Sequence, residues 1–193
     1  NLRIKNCRSC KSPKLNKAFS LGKLALTGIF PPNKKSKVTK GNLSMVLCQK
    51  CKLLQLEDNF DSNEMYGDDY GYMSSLNKSM ELHLKVKSIN LIKKYNLKPN
   101  NLILDIGSND GTFLSFFNKK FRLFGCDPTI KKFKNLYRKD INLLPYFFSK
   151  DHFNNKKFNL ITSIAMFYDL PDPVSFIQQI YEVIHDQGIW HIE

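Results

Sequence analysis

Apolar residues follow two rhythms along this chain, and the change between them divides it. Over residues 1–56 they are scattered among lysine, asparagine, proline and glycine. Only Met45-Val-Leu-Cys48 reads there as a short strand. Pro13, Gly22, Gly28, Pro31-Pro32 and Gly41 punctuate the stretch, which predicts a compact, loop-rich unit. Residues 57–78 mix Tyr66, Tyr70 and Tyr72 with Asp61, Glu64, Asp68 and Asp69 and read as a connecting segment. From 79 to 95, Leu82, Val86, Ile89 and Ile92 recur at helical spacing, and Lys98-Pro-Asn-Asn101 ends the helix they predict.

Beyond that point short apolar runs alternate with helical patterns. Strands are expected at 102–106, 123–126, 158–164 and 189–193, and helices at 111–118, 130–138 and 173–185. Asp172-Pro173 is a favourable N-cap and first position for the last helix, and Gly188 follows its end. Such alternation predicts an α/β domain over 79–193, Rossmann-like, with a mostly parallel sheet and helices on both faces. The chain ends in a predicted strand where a doubly wound sheet normally continues, so it is expected to be a piece of a longer protein.

Charge sharpens the division. The chain of 193 residues has a formal net charge of +13. Residues 1–52 hold 13 Lys or Arg and no Asp or Glu, so the entire excess sits there. It reads either as a lysine-rich solvated surface or as attraction to phosphate, on nucleic acid or on a nucleotide-linked substrate. Aromatics are sparse among these lysines, and no RNA-binding motif is visible. No apolar stretch approaches the roughly 18 residues of a membrane span. With no signal-peptide pattern either, a cytoplasmic protein without membrane contact is expected.

Four of the five cysteines form two matched pairs, Cys7-x-x-Cys10 and Cys48-x-x-Cys51. Two such knuckles suit a closed tetrahedral Zn²⁺ site, which is structural because no coordination position remains for substrate. A small basic module with few large apolar residues needs that staple to fold. Cys126, inside a predicted strand, reads as a small core residue.

Leu104-Asp-Ile-Gly-Ser-Asn-Asp-Gly111 joins a predicted strand to a helix. Asp105, Gly107 and Gly111 place a glycine-lined turn at the strand's carboxyl end, where a cofactor can approach backbone closely. The three-glycine pattern of dinucleotide binders is missing, which disfavours a nicotinamide cofactor. Asp127 ends the next strand, where a carboxylate can accept hydrogen bonds from ribose hydroxyls.

These residues resemble the class I S-adenosylmethionine-dependent methyltransferases. The resemblance implies that Asp105, Gly107, Ser108, Asn109 and Gly111 form the cofactor loop, with Asp127 on the ribose. Met166-Phe167-Tyr168-Asp169-Leu170 falls where the family's loop after the fourth strand faces cofactor and substrate, which adds Met166 to the cofactor set. With the cysteine pairs, the Gly28-Ile-Phe-Pro31 turn and Tyr70-Gly-Tyr72-Met-Ser-Ser75, the chain looks like the sugar-nucleotide C-methyltransferases. Those enzymes methylate a carbon beside the ketone of a TDP-4-keto-deoxysugar through an enolate. The resemblance implies catalytic roles for Tyr72 and for Tyr168 and Asp169, which stand where relatives often carry histidine. The family's Glu-His pair lies beyond the fifth strand. His191 and Glu193, within a strand, are not that pair, and His83 reads as a solvent or packing residue. Two other readings remain: a zinc-finger ribosomal-RNA base methyltransferase, which the basic module favours, and a non-catalytic zinc- and nucleotide-binding module.

Overall fold

The computed structural model describes residues 2–26, 28–31, 33–67 and 69–193. Pro32 and Asp68, both used in the sequence reading, lie outside them. The chain divides into two compact units, one of Asn1–Gly71 with Leu170–Phe176 and the other of Tyr72–Asp169 with Ile177–Glu193.

The first unit is more regular than its sequence suggests. Strands β1 (Leu2–Arg3), β2 (Leu15–Ala25), β3 (Lys40–Cys48), β4 (Leu54–Leu56) and β5 (Asp58–Asn59) form two antiparallel sheets, β2-β3-β4 and β1-β5. In β3 the alternation is plain, since Ser44, Val46 and Cys48 point inward. The β2 strand has no periodic apolar signature, because it is exposed beyond its first residue and its register shifts twice against β3. Such shifts break the two-residue period on which strand reading rests. The expected connecting segment also holds structure. Helix α1 (Ser62–Tyr66) begins where the Asp61 carboxylate accepts from the Asn63 amide, 2.9 Å away.

The second unit opens with a 3₁₀ turn at Ser74–Leu76 and helix α2 (Lys78–Lys94). It continues through β6 (Leu102–Ile106), α3 (Thr112–Ser115), β7 (Arg122–Cys126), α4 (Ile130–Phe133), β8 (Asn142–Leu144) and β9 (Phe158–Ser163). Helix α5 (Pro173–Val183) and β10 (Ile184–Ile192) end the chain. All five strands of the sheet are parallel, in the order β10-β9-β6-β7-β8. Counted from β6 this is the 3-2-1-4-5 order of a Rossmann-like domain, as the alternating pattern predicts. Ile103, Leu123 and Leu160 from three strands pack with Leu84 and Leu91 of α2 and with Phe113, Leu114 and Phe117 at and after α3. Strand β8 lies outside the expected elements, because three edge residues are too short to show a period.

Strand β10 begins at Ile184, within the expected last helix, and runs through Gly188; two helices also differ from expectation. The face that α2 buries is Leu84, Ser88 and Leu91, while Leu82, Val86 and Ile89 of the expected stripe are 60%, 48% and 54% exposed and only its fourth member, Ile92, packs against the core. Both sets recur at helical spacing. The set with the small Ser88 at its centre is the one that packs. Helices α3 and α4 are one turn each, because i-to-i+3 bonds such as Phe117 N–H to Leu114 C=O take over early. No helix among the described residues is long and apolar enough to cross a membrane.

Candidate functional site

In the first unit the two cysteine pairs converge. The Sγ atoms of Cys7, Cys10, Cys48 and Cys51 all lie within 4.8 Å of one another, with Cys7–Cys51 and Cys10–Cys48 at 3.6 Å. Four thiolates at about 2.3 Å from one zinc stand roughly 3.8 Å apart, so this cluster fits a Zn²⁺ ion with little adjustment. The knuckles match in detail. Lys11 and Lys52, each following a pair, take left-handed backbone (φ 58° and 65°). Each amide donates to the carbonyl of the first cysteine, at 3.0 and 2.9 Å. The Gln55 side chain donates to Cys7 Sγ at 3.2 Å and accepts from the Arg8 amide at 2.9 Å. Burial alone would push the Cys7 thiol up. The Cys10 amide, Gln55 and neighbouring donors outweigh it and hold the thiol at about 6, while, against the Leu53 amide, burial and the neighbouring thiols push Cys51 up to about 11.

In the second unit the glycine loop leaves the carboxyl end of β6, beside β9, where the strand order reverses. Ligands of open α/β sheets bind at that switch point. Gly107 and Gly111 both have positive φ, 77° and 79°. A β-carbon on Gly111 would sit 2.6 Å from the Tyr137 ring, and one on Gly107 3.1 Å from Met166 Cγ. Loop, Met166 and Tyr137 are therefore in close contact.

Each expected cofactor residue has a defined place. Asp105 is buried and accepts from Thr162 Oγ1 at 2.6 Å. Burial chiefly, with the Asp127 charge, raises its carboxyl to about 7 despite the Thr162 bond. Ser108 Oγ and Tyr137 Oη are 2.8 Å apart, and the Tyr137 hydroxyl donates to the Asn109 carbonyl at 2.7 Å. Asp127 Oδ1 receives the Thr129 amide (2.7 Å) and hydroxyl (2.6 Å), and Oδ2 receives the Asn109 amide (3.0 Å). Burial raises this carboxyl too, and those donors pull it back. A carboxylate offers about four acceptor positions, so one remains on Oδ2 for a ligand hydroxyl.

Of the expected catalytic residues, Tyr72 is 40% exposed, and its carbonyl accepts from Asn109 Nδ2 at 3.0 Å. Tyr168 and Asp169 lie on a 3₁₀ turn (Phe167–Asp169) after β9, with Tyr168 largely exposed. Partial burial first, then Asp169 and Tyr72, raise the Tyr168 phenol, which favours its neutral, hydrogen-donating form. His83 Nε2 is 2.7 Å from a Glu193 carboxylate oxygen. His191 Nε2 is buried without a hydrogen-bond partner among the described residues, and burial with Lys87 and Lys94 lowers its basicity. Cys126 is a buried core residue whose thiol is pushed up to about 12, mainly by burial.

Asp110, Thr129, Tyr137 and Thr162 join the site without having been expected there. Asp-Pro-Thr before a helix is a capping pattern that pointed to Thr129, and a threonine inside the apolar 158–163 strand pointed to Thr162. Tyr137 carried no local signal. Its role depends on how the turn after α4 brings it over Gly111.

A zinc-knuckle module and a Rossmann-like domain with a glycine loop at its switch point define a class of nucleotide-cofactor proteins. A family profile described as "Methyltransferase domain" matches residues 80–193, and the chain belongs to that family. A second, described as "Putative zinc binding domain", matches residues 7–66. Among solved structures the plantazolicin methyltransferase BpumL in complex with SAH is 19% identical, with a TM-score of 0.53 over 60% of this chain and 48% of that one. A "putative s-adenosyl-l-methionine-dependent methyltransferase" from Methanococcus maripaludis is 17% identical, with a TM-score of 0.52 over 62% and 59%. Both likenesses are of fold. The chain spans about half the length of the plantazolicin methyltransferase chains it matches. A search of curated proteins finds no sequence match.

Proposed function

We propose that this protein transfers a methyl group from S-adenosylmethionine to a carbon beside the ketone of a nucleotide-linked 4-keto-deoxysugar. The observation that carries the methyl-transfer reading is the glycine loop at the switch point, with Asp127 one strand over and Met166 against Gly107. Family membership adds to it. In this reading Asp105, Gly107, Ser108, Asn109, Gly111, Asp127 and Met166 hold the cofactor, which supplies an electrophilic methyl group. Zinc on Cys7, Cys10, Cys48 and Cys51 holds the first unit together and takes no part in the chemistry.

The acceptor assignment rests on the resemblance of the Tyr70–Ser75 segment and on where its second tyrosine lies. A general base takes the proton beside the ketone and leaves an enolate, whose oxygen carries the developing negative charge. Tyr72 and a neutral Tyr168 can donate hydrogen bonds to that oxygen, with Asp169 orienting the second phenol. Fixed donors of this kind stabilise charge without reorganising as it appears.

The test supplies methyl-labelled S-adenosylmethionine with two acceptors in parallel, a TDP-4-keto-6-deoxyhexose and undermethylated ribosomal RNA. Acid-stable label on sugar carbon, lowered about a hundredfold in rate by Tyr72→Phe, supports this reading. Label in RNA replaces it and makes the basic residues 1–52 the recognition element. Label in neither overturns both acceptor assignments.

A further inference from the structure

Asn109 belongs to the glycine loop, yet its side chain faces the segment that carries Tyr72. Its Oδ1 accepts from the Ser74 amide at 3.0 Å, and its Nδ2 donates to the Tyr72 carbonyl at 3.0 Å. The next residue repeats the contact. Asp110 Oδ2 accepts from the Ser75 amide at 3.0 Å. Its other oxygen receives the Thr112 amide and hydroxyl, at 3.2 and 2.6 Å, and so also holds the start of α3. The Asn109 main chain meanwhile faces the other way, with its amide on Asp127 and its carbonyl on the Tyr137 hydroxyl. Asn109 has φ of 51°, a left-handed conformation that asparagine tolerates better than most residues. That conformation lets one residue serve both sides.

We infer that Asn109 and Asp110 are positioning residues that latch residues 72–75 to the cofactor loop and thereby set the place of Tyr72. Its catalytic meaning rests on the proposed function, whereas the latch itself does not. Both residues are buried, so their side-chain bonds to this segment are sheltered from competing water. Tyr72 stands 37 residues from Asn109 in the chain. Tyr72 itself is exposed, and only its neighbour Met73 packs on the core.

Ser74 is the first residue of its 3₁₀ turn and follows an extended Met73 (φ −131°, ψ 133°). Ser74→Pro therefore deletes the donor at a position where proline fits. Asn109→Gly deletes the acceptor without opposing the positive φ. Hydrogen exchange on the full chain, without ligand, reads the latch directly. The Ser75 amide should exchange about tenfold faster in either variant, while residues 102–126 stay as protected as before. The double variant should be no faster than Asn109→Gly, since the bond that Ser74→Pro removes is already lost with the Asn109 side chain. Asn109→Asp, which keeps an acceptor for the Ser74 amide, should restore most of the protection. Unchanged exchange at Ser75 in Asn109→Gly, or additive effects in the double variant, overturns the latch. Binding of S-adenosylhomocysteine is measured separately and should change less than about threefold in Ser74→Pro. If the wild-type chain does not bind it but Ser75 is released by the variants, the latch stands and the cofactor reading falls.

Discussion

Thr162 on β9 donates its hydroxyl to the Asp105 carboxylate on neighbouring β6 across 2.6 Å. That bond satisfies one oxygen of a carboxyl that burial raises to about 7, well above its ordinary value near 4. The folded state thus holds this proton more tightly than the unfolded chain does. Its contribution to stability is complete below about pH 4 and is lost as pH rises through about 7. Asp105→Asn keeps an acceptor for Thr162 and cannot ionise. In denaturant titrations it should match the wild type near pH 4 and exceed it by up to roughly 4 kcal/mol at pH 8. Parallel curves for the two proteins would show that Asp105 is ionised throughout.

The cysteine cluster makes a separate prediction about metal. One zinc per chain is expected by elemental analysis, and Cys48→Ser should abolish it. After chelation, amides of residues 2–26 and 40–59 should exchange freely, because zinc binding supplies much of the folding free energy of such modules. Strands Leu102–Ile106 and Arg122–Cys126 should stay protected, since their core is Ile103, Leu123, Leu160 and the phenylalanines around α3. Loss of protection in both places would mean that the two units fold as one.

What the sequence conveyed and what it hid follow from the range of each interaction. The cysteine pairs, the glycine loop and the strand at Leu102–Ile106 are local, and spacing alone located them. Sequence alone does not choose the buried face of α2, because Leu82–Val86–Ile89 and Leu84–Ser88–Leu91 are equally periodic and the sheet beneath decides between them. The bonds of Asn109 to Tyr72 and Ser74 and the cover of Tyr137 over Gly111 join residues far apart in the chain. One sequence carries no mark of such pairs.

The two loop glycines should respond differently to alanine. Both have positive φ, which costs an alanine about 1 kcal/mol. At Gly107 the added carbon meets the Met166 side chain at 3.1 Å, and an unbranched methionine can move. At Gly111 it meets the Tyr137 ring at 2.6 Å, and that ring is buried with its hydroxyl bonded to Ser108 and Asn109. Gly111→Ala should therefore lose about 1–3 kcal/mol more than Gly107→Ala in thermal or denaturant unfolding. Gly107→Ala should instead act on cofactor affinity through Met166. Equal losses of stability would indicate that backbone conformation alone governs both sites.

Asp127 caps a turn, and its proposed grip on the cofactor's ribose is a second task that substitutions can separate from the first. Oδ1 caps the turn into α4 through Thr129, and Oδ2 holds the Asn109 amide and keeps one acceptor position for a ligand. Thr129→Val removes only the hydroxyl donor. It should cost about 1 kcal/mol of stability and leave S-adenosylhomocysteine affinity within about threefold. Asp127→Asn is a different change. If the amide oxygen stays with the Thr129 donors, the new NH₂ group faces the Asn109 N–H, and two donors oppose each other. The loop must then shift, and the acceptor offered to a ribose hydroxyl is gone. Calorimetry should show affinity for S-adenosylhomocysteine falling more than about tenfold in Asp127→Asn, with folding retained at neutral pH. Equal losses in Thr129→Val and Asp127→Asn would mean that this carboxylate matters only as a cap, and the cofactor's ribose would have to be sought elsewhere on the sheet.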